Sequence, residues 1–315
     1  MQGIILAAGK GKRLHPVTTR RTKAMAPVAG KPMVERVIDM LAANGVSEFI
    51  VLVSPEDPEI VPHFERMRPE LDIRFVVQPE RLGMAHALGL AAPFIGGDFV
   101  LSACDNLTPN GHVAELLAAH RSRNALATLS LMPIDIAQAS STGIVDWQDG
   151  WVGRVVEKPR PEEAPSNISS LPLYVFSPRI LAHLPAVPLS PRGEYELQDA
   201  IQLLIEHDGG VTGVLTDRRI QLTNAADLLA LNRHYLALDG LQKVILTDQV
   251  GARTRFITPV RIEEGVVIGP DCVIGPHVYI EENCQLGAGV RLENVVVLRG
   301  ASLADGERHA DKVVM

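Results

Sequence analysis

The chain has 315 residues and a formal net charge of −7, with 46% hydrophobic and 21% charged side chains. That size and balance suit a soluble protein of two domains with a sizeable core, and the acidic sign argues against nucleic acid as the main partner, which would call for a broad basic face. No apolar run approaches the roughly 20 residues of a membrane span, and three cysteines without a C-x-x-C pair suggest neither a disulfide framework nor a zinc site.

An apolar run at 4–6 opens the chain, and residues 6–33 then hold seven cations and no acid: Lys10, Lys12, Arg13, Arg20, Arg21, Lys23 and Lys31. Lys10 arrives before a hydrophobic stretch of signal-peptide length, so a cytoplasmic location is expected. In an acidic chain this run reads as a local device for a small polyanion. Apolar and β-branched runs at 49–53, 73–77 and 99–103 alternate with helical spacing at 33–44, 84–94 and 113–120. Such alternation predicts an α/β domain: a Rossmann-like, mostly parallel sheet sandwiched by helices, with ligands at the carboxyl ends of the strands. The cationic loop follows one strand and Asp105 follows another. His112, His120, His183, His207 and His234 lack metal-ligand spacing and are expected at the surface or in caps. His86 is expected to support the site from behind.

From residue 262 the rhythm changes. Ile262, Ile268, Ile274, Ile280, Leu286, Leu292 and Leu298 fall six apart, most of them two residues after a small apolar side chain such as Cys272, Val278 or Cys284. This period predicts a short parallel β-helix of hexapeptide repeats, with three faces to a coil. Cys272 and Cys284 then lie on different faces and form no disulfide. The expected organisation is a domain at 1–240 and a β-helix domain at 241–315.

Three phosphate-loop readings compete for the opening loop. A Walker A loop fails because Gly11, not Ser or Thr, follows Lys10. A dinucleotide fingerprint lacks its third glycine, at Leu14, and its later acid. A strand followed by a glycine loop, with backbone N–H groups cradling phosphates and Arg13 and Lys23 reaching in, fits the charges.

That loop, Gly9-Lys10-Gly11-Lys12-Arg13-Leu14-His15-Pro16-Val17-Thr18 and then Thr22-Lys23-Ala24-Met25-Ala26-Pro27-Val28, resembles the signature GxGTRLxPxTxxxPKxMxPV of sugar-1-phosphate nucleotidylyltransferases. Lys12 stands where the signature has Thr, and Thr22 where it has Pro. Further landmarks follow in the family's order. The resemblance implies that Leu6, Ala7, Ala8, Gly9 and Gly11 bind the nucleotide, and that Gln78 and Gly83 of QPERLGMAH read its base. It implies a metal, Mg²⁺, on Asp105 of Cys104-Asp105-Asn106 and on Asp199 of the segment from Gly193. Gly143, Glu157 and Asn167 are implied to bind the sugar, with Lys158, beside Glu157, on its phosphate. Pro172, Arg219, Gln221 and Thr223 depart from the family pattern on the sugar and product side.

A left-handed β-helix tail is a common appendage in the same family. The implied reaction moves a nucleotidyl group from a nucleoside triphosphate, dTTP or UTP by resemblance, to a sugar 1-phosphate, with Arg13, Lys23 and Lys158 as the catalytic cations. A homo-oligomer, no nucleic acid and no membrane are the expected associations. Two readings stay beside this one. A bifunctional enzyme would also transfer an acyl group on the β-helix, where only His277 and His309 offer an imidazole. A non-catalytic relative would bind a sugar nucleotide and regulate a partner.

Overall fold

The computed structural model describes residues 1–109, 111–238 and 243–315, which form two compact units. Met1–Gly9 and Arg36–Ile220 make the first, and Lys10–Glu35 and Gln221–Met315 the second. The join expected near residue 240 lies outside the described residues. Residues 10–35, read from sequence as part of the first domain, pack with the second unit.

The first unit is built on a nine-stranded sheet. Its strands are β1 (Gln2–Leu6), β2 (Glu48–Val53), β3 (Asp72–Val77), β4 (Phe99–Ala103), β5 (Ala127–Pro133), β6 (Gly143–Gln148), β7 (Trp151–Glu157), β8 (Ile168–Phe176) and β9 (Val211–Leu215). Their spatial order is β3-β2-β1-β4-β8-β5-β9-β7-β6. Only β7 and β8 run against the rest, so the sheet is mostly parallel, as the alternation predicts. The helices are α1 (Met33–Ala42), α2 (Ile60–Met67), α3 (Met84–Ala91), α4 (His112–Ser122), α5 (Leu197–His207) and, in the second unit, α6 (Ala225–Leu238). Ile4, Leu52, Leu88, Phe99, Leu129, Tyr174 and Ile201 are fully buried in the first unit's core. Pro172 sits inside β8 at the register break between Leu171 and Tyr174. A bulge tolerates the missing N–H that a regular central strand would need.

Two expectations about histidines are corrected. His112 and His120 are buried against the sheet. His112 Nε2 lies 2.8 Å from Ser130 Oγ, and His120 Nδ1 lies 3.0 Å from Thr128 Oγ1. Their polar partners stand on β5, which the alternation did not mark. His183 pairs with Asp208 at 2.7 Å, and His207 stacks on it.

In the second unit, parallel pairings step by eighteen residues: Val260↔Val278, Val267↔Gln285 and Val273↔Arg291. Three hexapeptides therefore close one coil. The coils begin before the strict period is visible, because Lys243–Ile245 already pairs with Val260–Ile262. One anchor is corrected. Ile280 stacks on Val297, not Leu298, and Leu286 on Leu303. The corner at Gly275-Pro276-His277 shortens in the next coil to Glu293-Asn294, so one residue drops out and every later anchor moves back by one. Asn294 takes φ +50° at this tighter corner, a conformation Asn tolerates. Cys272 and Cys284 are buried and free.

Candidate active site

In the first unit, the chain leaves β1 through Ala7 and Ala8. Ala7 N–H donates to the Leu52 carbonyl at 2.9 Å, and the Leu6 carbonyl accepts from Cys104 N–H at 3.2 Å. Gly9 is exposed. The Ala8 carbonyl is held by Arg81 Nε at 2.7 Å, while Arg81 Nη2 donates to Ser54 Oγ at 2.7 Å and to Glu56 at 3.1 Å. Arg81 was missed from sequence, because a lone arginine within QPERLGMAH carries no spacing signal.

Gln78 is buried, with Nε2 3.3 Å from the Gly83 carbonyl and 3.3 Å from His86 Nδ1. His86 is thus a direct side-chain neighbour of Gln78. Gly83 has φ +99°, and a Cβ there would lie 2.5 Å from the Tyr195 carbonyl oxygen. The close approach is fixed by Tyr195 N–H to the Leu82 carbonyl at 2.7 Å and by Ala85 N–H to the Tyr195 carbonyl at 3.1 Å.

Two of the residues expected at the sugar, Gly143 and Glu157, face each other across neighbouring strands. Gly143 opens β6 opposite Glu157 of β7 on one side and Ser170 of β8 on the other. A Cβ on Gly143 would lie 2.7 Å from Gln198 Nε2, so this glycine makes room for the Gln198 amide. Gln198 Nε2 donates to the Tyr174 hydroxyl at 3.1 Å, whereas its Oε1 is buried without a partner. Burial raises the Tyr174 phenol above its ordinary value. Gln198 was also missed: next to Asp199, it reads from sequence as an ordinary helix-start residue. Asn167, exposed, stands at the approach to β8, where its carbonyl accepts from Ile134 N–H at 2.9 Å.

Around this row lies a charge network. Lys158 Nζ is 3.1 Å from Glu157, and Arg192 bridges Glu157 at 3.2 Å and Glu196 at 2.6 Å. Lys158 itself takes φ +46°. Asp199, in the first turn of α5, has its carboxyl pushed above the ordinary range by burial first, then by Glu196 and Glu157, against the pull of Arg192. Asp105 is half-buried in the turn after β4. Its neighbour Asn106 is fully buried, with Oδ1 accepting from Arg219 Nε at 2.7 Å and Nδ2 unpartnered. Arg219, a departure from the family pattern, thus braces the turn that carries Asp105.

In the second unit, Gly11 takes φ +65° and passes so close to Lys23 that a Cβ would lie 2.7 Å from the lysine's own Cβ. Leu14 N–H and Thr18 Oγ1 both donate to the Gly11 carbonyl, at 2.9 and 3.1 Å. Leu14, Ala24 and Ala26 are fully buried, which anchors a loop whose Lys10, Lys12 and Arg13 are exposed. Cations of the run already have carboxylates: Arg21 pairs with Glu281 at 2.6 Å, and Lys31 with Glu35 at 3.3 Å. The run read from sequence as uncompensated is therefore partly compensated by acids outside it.

Residues 2–218 match the family model described as nucleotidyl transferase. The chain belongs to the nucleotidyl transferase family. Residues 256–313 match a second model, the GMPPB C-terminal domain. A UTP–glucose-1-phosphate uridylyltransferase, AglF, of Haloferax volcanii is 34% identical over 218 residues, covering 69% of this chain and 88% of the relative. A glucose-1-phosphate thymidylyltransferase of Streptomyces griseus is 30% identical over 309 residues, covering 97% of this chain and 83% of the relative. A crystal structure of UDP-glucose pyrophosphorylase complexed with UDP-glucose superposes with a TM-score of 0.67 at 18% identity, covering 75% of this chain and 98% of that one, and so shares its fold. Enzymes of these families act on a nucleoside triphosphate and a sugar phosphate and generally use a divalent metal. No helix among the described residues is long and apolar enough to cross a membrane.

The metal's fit can be judged from the donors. Among the described residues no group of three or more His, Cys, Asp or Glu side chains is arranged to hold a metal ion. Asp105 and Asp199 supply carboxylate oxygens of the kind a hard divalent cation takes, and such a cation commonly completes its shell with phosphate oxygens and water. Glu196 and Glu157 raise the Asp199 carboxyl, behind burial and against Arg192, which itself pairs with both of those acids. In donor type the two carboxylates suit such a cation.

Proposed function

We propose that this nucleotidyl transferase moves a nucleotidyl group from dTTP or UTP to a sugar 1-phosphate, releasing pyrophosphate and an NDP-sugar. The observation that supports it best is the row Glu157–Gly143–Ser170, flanked by Lys158 and capped by Gln198. An ammonium stands there beside a carboxylate, and we assign the first to a phosphate and the second to hydroxyls, the pairing a sugar phosphate needs. Glu157 and Asn167 take sugar hydroxyls, Gly143 lies along the ring, and Lys158 takes the phosphate.

The nucleotide is assigned to Leu6, Ala7, Ala8, Gly9 and Gly11 along the loop, with Gln78 and the Gly83 backbone at the base. The sugar phosphate oxygen attacks the α-phosphate in line, so no nucleophilic side chain is required. What the protein must do is align two anions and neutralise them. Arg13 takes the β,γ-phosphates with its forked guanidinium, and Lys23 neutralises the α-phosphate. A Mg²⁺ held by Asp105 and Asp199 would supply further charge neutralisation at the phosphate oxygens.

A panel of nucleoside triphosphates against glucose 1-phosphate and related sugar 1-phosphates, read by pyrophosphate release, tests the reading. Turnover with dTTP or UTP and at least one sugar 1-phosphate is expected. Release that needs no sugar phosphate, or none with any pair, would contradict it.

A further inference from the structure

Arg21 belongs to the cationic loop yet points away from any phosphate role. Its guanidinium forms two hydrogen bonds to one carboxylate, Nη1 to Glu281 Oε1 at 2.6 Å and Nη2 to Oε2 at 3.0 Å, with side chains only 7% and 10% exposed. Glu281 follows the β-helix strand Val278–Ile280, and its Oε2 also accepts from Arg299 N–H, at 2.8 Å, in the neighbouring coil. The carboxylate is thus fixed by the β-helix before Arg21 reaches it.

Six residues along the loop, a second clamp holds its exit. Asn232 of α6 is buried, accepts from Ala29 N–H at 2.8 Å and donates to the Pro27 carbonyl at 3.0 Å. A third contact adjoins it: Gly30 lies so close over the Arg261 guanidinium that a Cβ would collide with it, and Arg261 is held by Glu263 at 2.6 Å. Lys23 lies between the first and second clamps, and Gly11 is packed on Lys23. Movement of the 21–30 segment would therefore carry Lys23 with it, and Gly11 after it.

We infer that Arg21 and Glu281 are positioning residues for nucleotide binding: through this shielded ion pair the β-helix sets where the loop carrying Arg13 and Lys23 stands. The β-helix is thereby part of the triphosphate-handling apparatus and more than a platform for assembly. This rests on the nucleotide assignment of the loop made above. A buried pair of this kind is charge-specific, because losing one partner strands the other charge away from water.

The test compares Glu281→Gln, Arg21→Gln and Arg21→Lys in the full-length protein. In Glu281→Gln and Arg21→Gln, the KM for the nucleoside triphosphate is expected to rise about tenfold or more, while the KM for the sugar 1-phosphate stays within about twofold. A merely structural defect would weaken both. Arg21→Lys keeps the charge and is expected to recover most of the loss. Hydrogen exchange read by mass spectrometry should show faster exchange in the 12–30 amides of the two Gln variants and unchanged exchange in β1, β2 and β4. Unchanged loop exchange, or equal rises in both KM values, would overturn the inference. Should the wild-type protein release no pyrophosphate at all, the proposed reaction fails, and loop exchange alone still decides whether the tether exists.

Discussion

At Gly83 two constraints meet in one residue. The backbone takes φ +99°, and the Tyr195 main chain fills the space a side chain would need. An alanine there meets left-handed strain of about 1–3 kcal/mol and a backbone collision as well. Gly83→Ala is expected to lower the urea midpoint at an unchanged slope, with a loss of about 2 kcal/mol or more. A variant as stable as wild type would show that α3 slides away from Tyr195 freely. This glycine also marks how far the site was readable. The motif order pointed to Gln78, Gly83, Gly143, Glu157 and Lys158; the structure puts Gln78 Nε2 on the Gly83 carbonyl, pairs Gly143 with Glu157 and sets Lys158 against Glu157. Arg81 and Gln198 were not readable, since their roles arise from partners at Ala8 and Tyr174, far away in sequence. Nor could the spacing show what fills the gap left by each glycine.

Helix α4 carries a pH dependence of its own. Burial lowers the pKa of His112 and of His120 below the ordinary histidine value of 6.5, against the opposing pull of Glu115 and of Asp98. The unfolded chain therefore binds protons at these sites more readily than the folded one. Stability is full above pH 6.5 and declines as the pH falls below it towards the folded values. Thermal melts of wild type and His120→Gln between pH 7.5 and 5 are expected to show a shallower acid-side decline in the variant; identical slopes would remove His120 as a contributor. The parallel half of the sheet was legible because β1, β2, β3 and β4 are short apolar runs separated by helical spacing. The antiparallel members β7 and β8 were not, as pairing direction is settled by tertiary contacts. In the β-helix, the six-residue period gave the coil, yet a one-residue deletion at the Asn294 corner shifted the last anchor from Leu298 to Val297. A constant period cannot reveal a shortened corner when Leu and Val both suit the core.

For the molecule as a whole, charge placement is the unifying feature. A chain of net charge −7 gathers cations in residues 10–31 and carboxylates around Glu157, Glu196 and Asp199. Arg21 serves the fold through Glu281 and Lys31 through Glu35, while Arg13 and Lys23 are assigned to phosphates. The loop falls within the nucleotidyl transferase match, and its buried contacts reach α6 and the coils. The central claim is that loop cations and a carboxylate-held metal together carry nucleotidyl transfer. Its most direct test is pyrophosphate release by wild type, Lys23→Ala and Asp105→Ala across a Mg²⁺ titration. The wild type is expected to require Mg²⁺, Lys23→Ala to lose about 10²-fold or more in turnover at saturating metal, and Asp105→Ala to lose both activity and metal response. Full metal-dependent turnover in either variant would contradict the account.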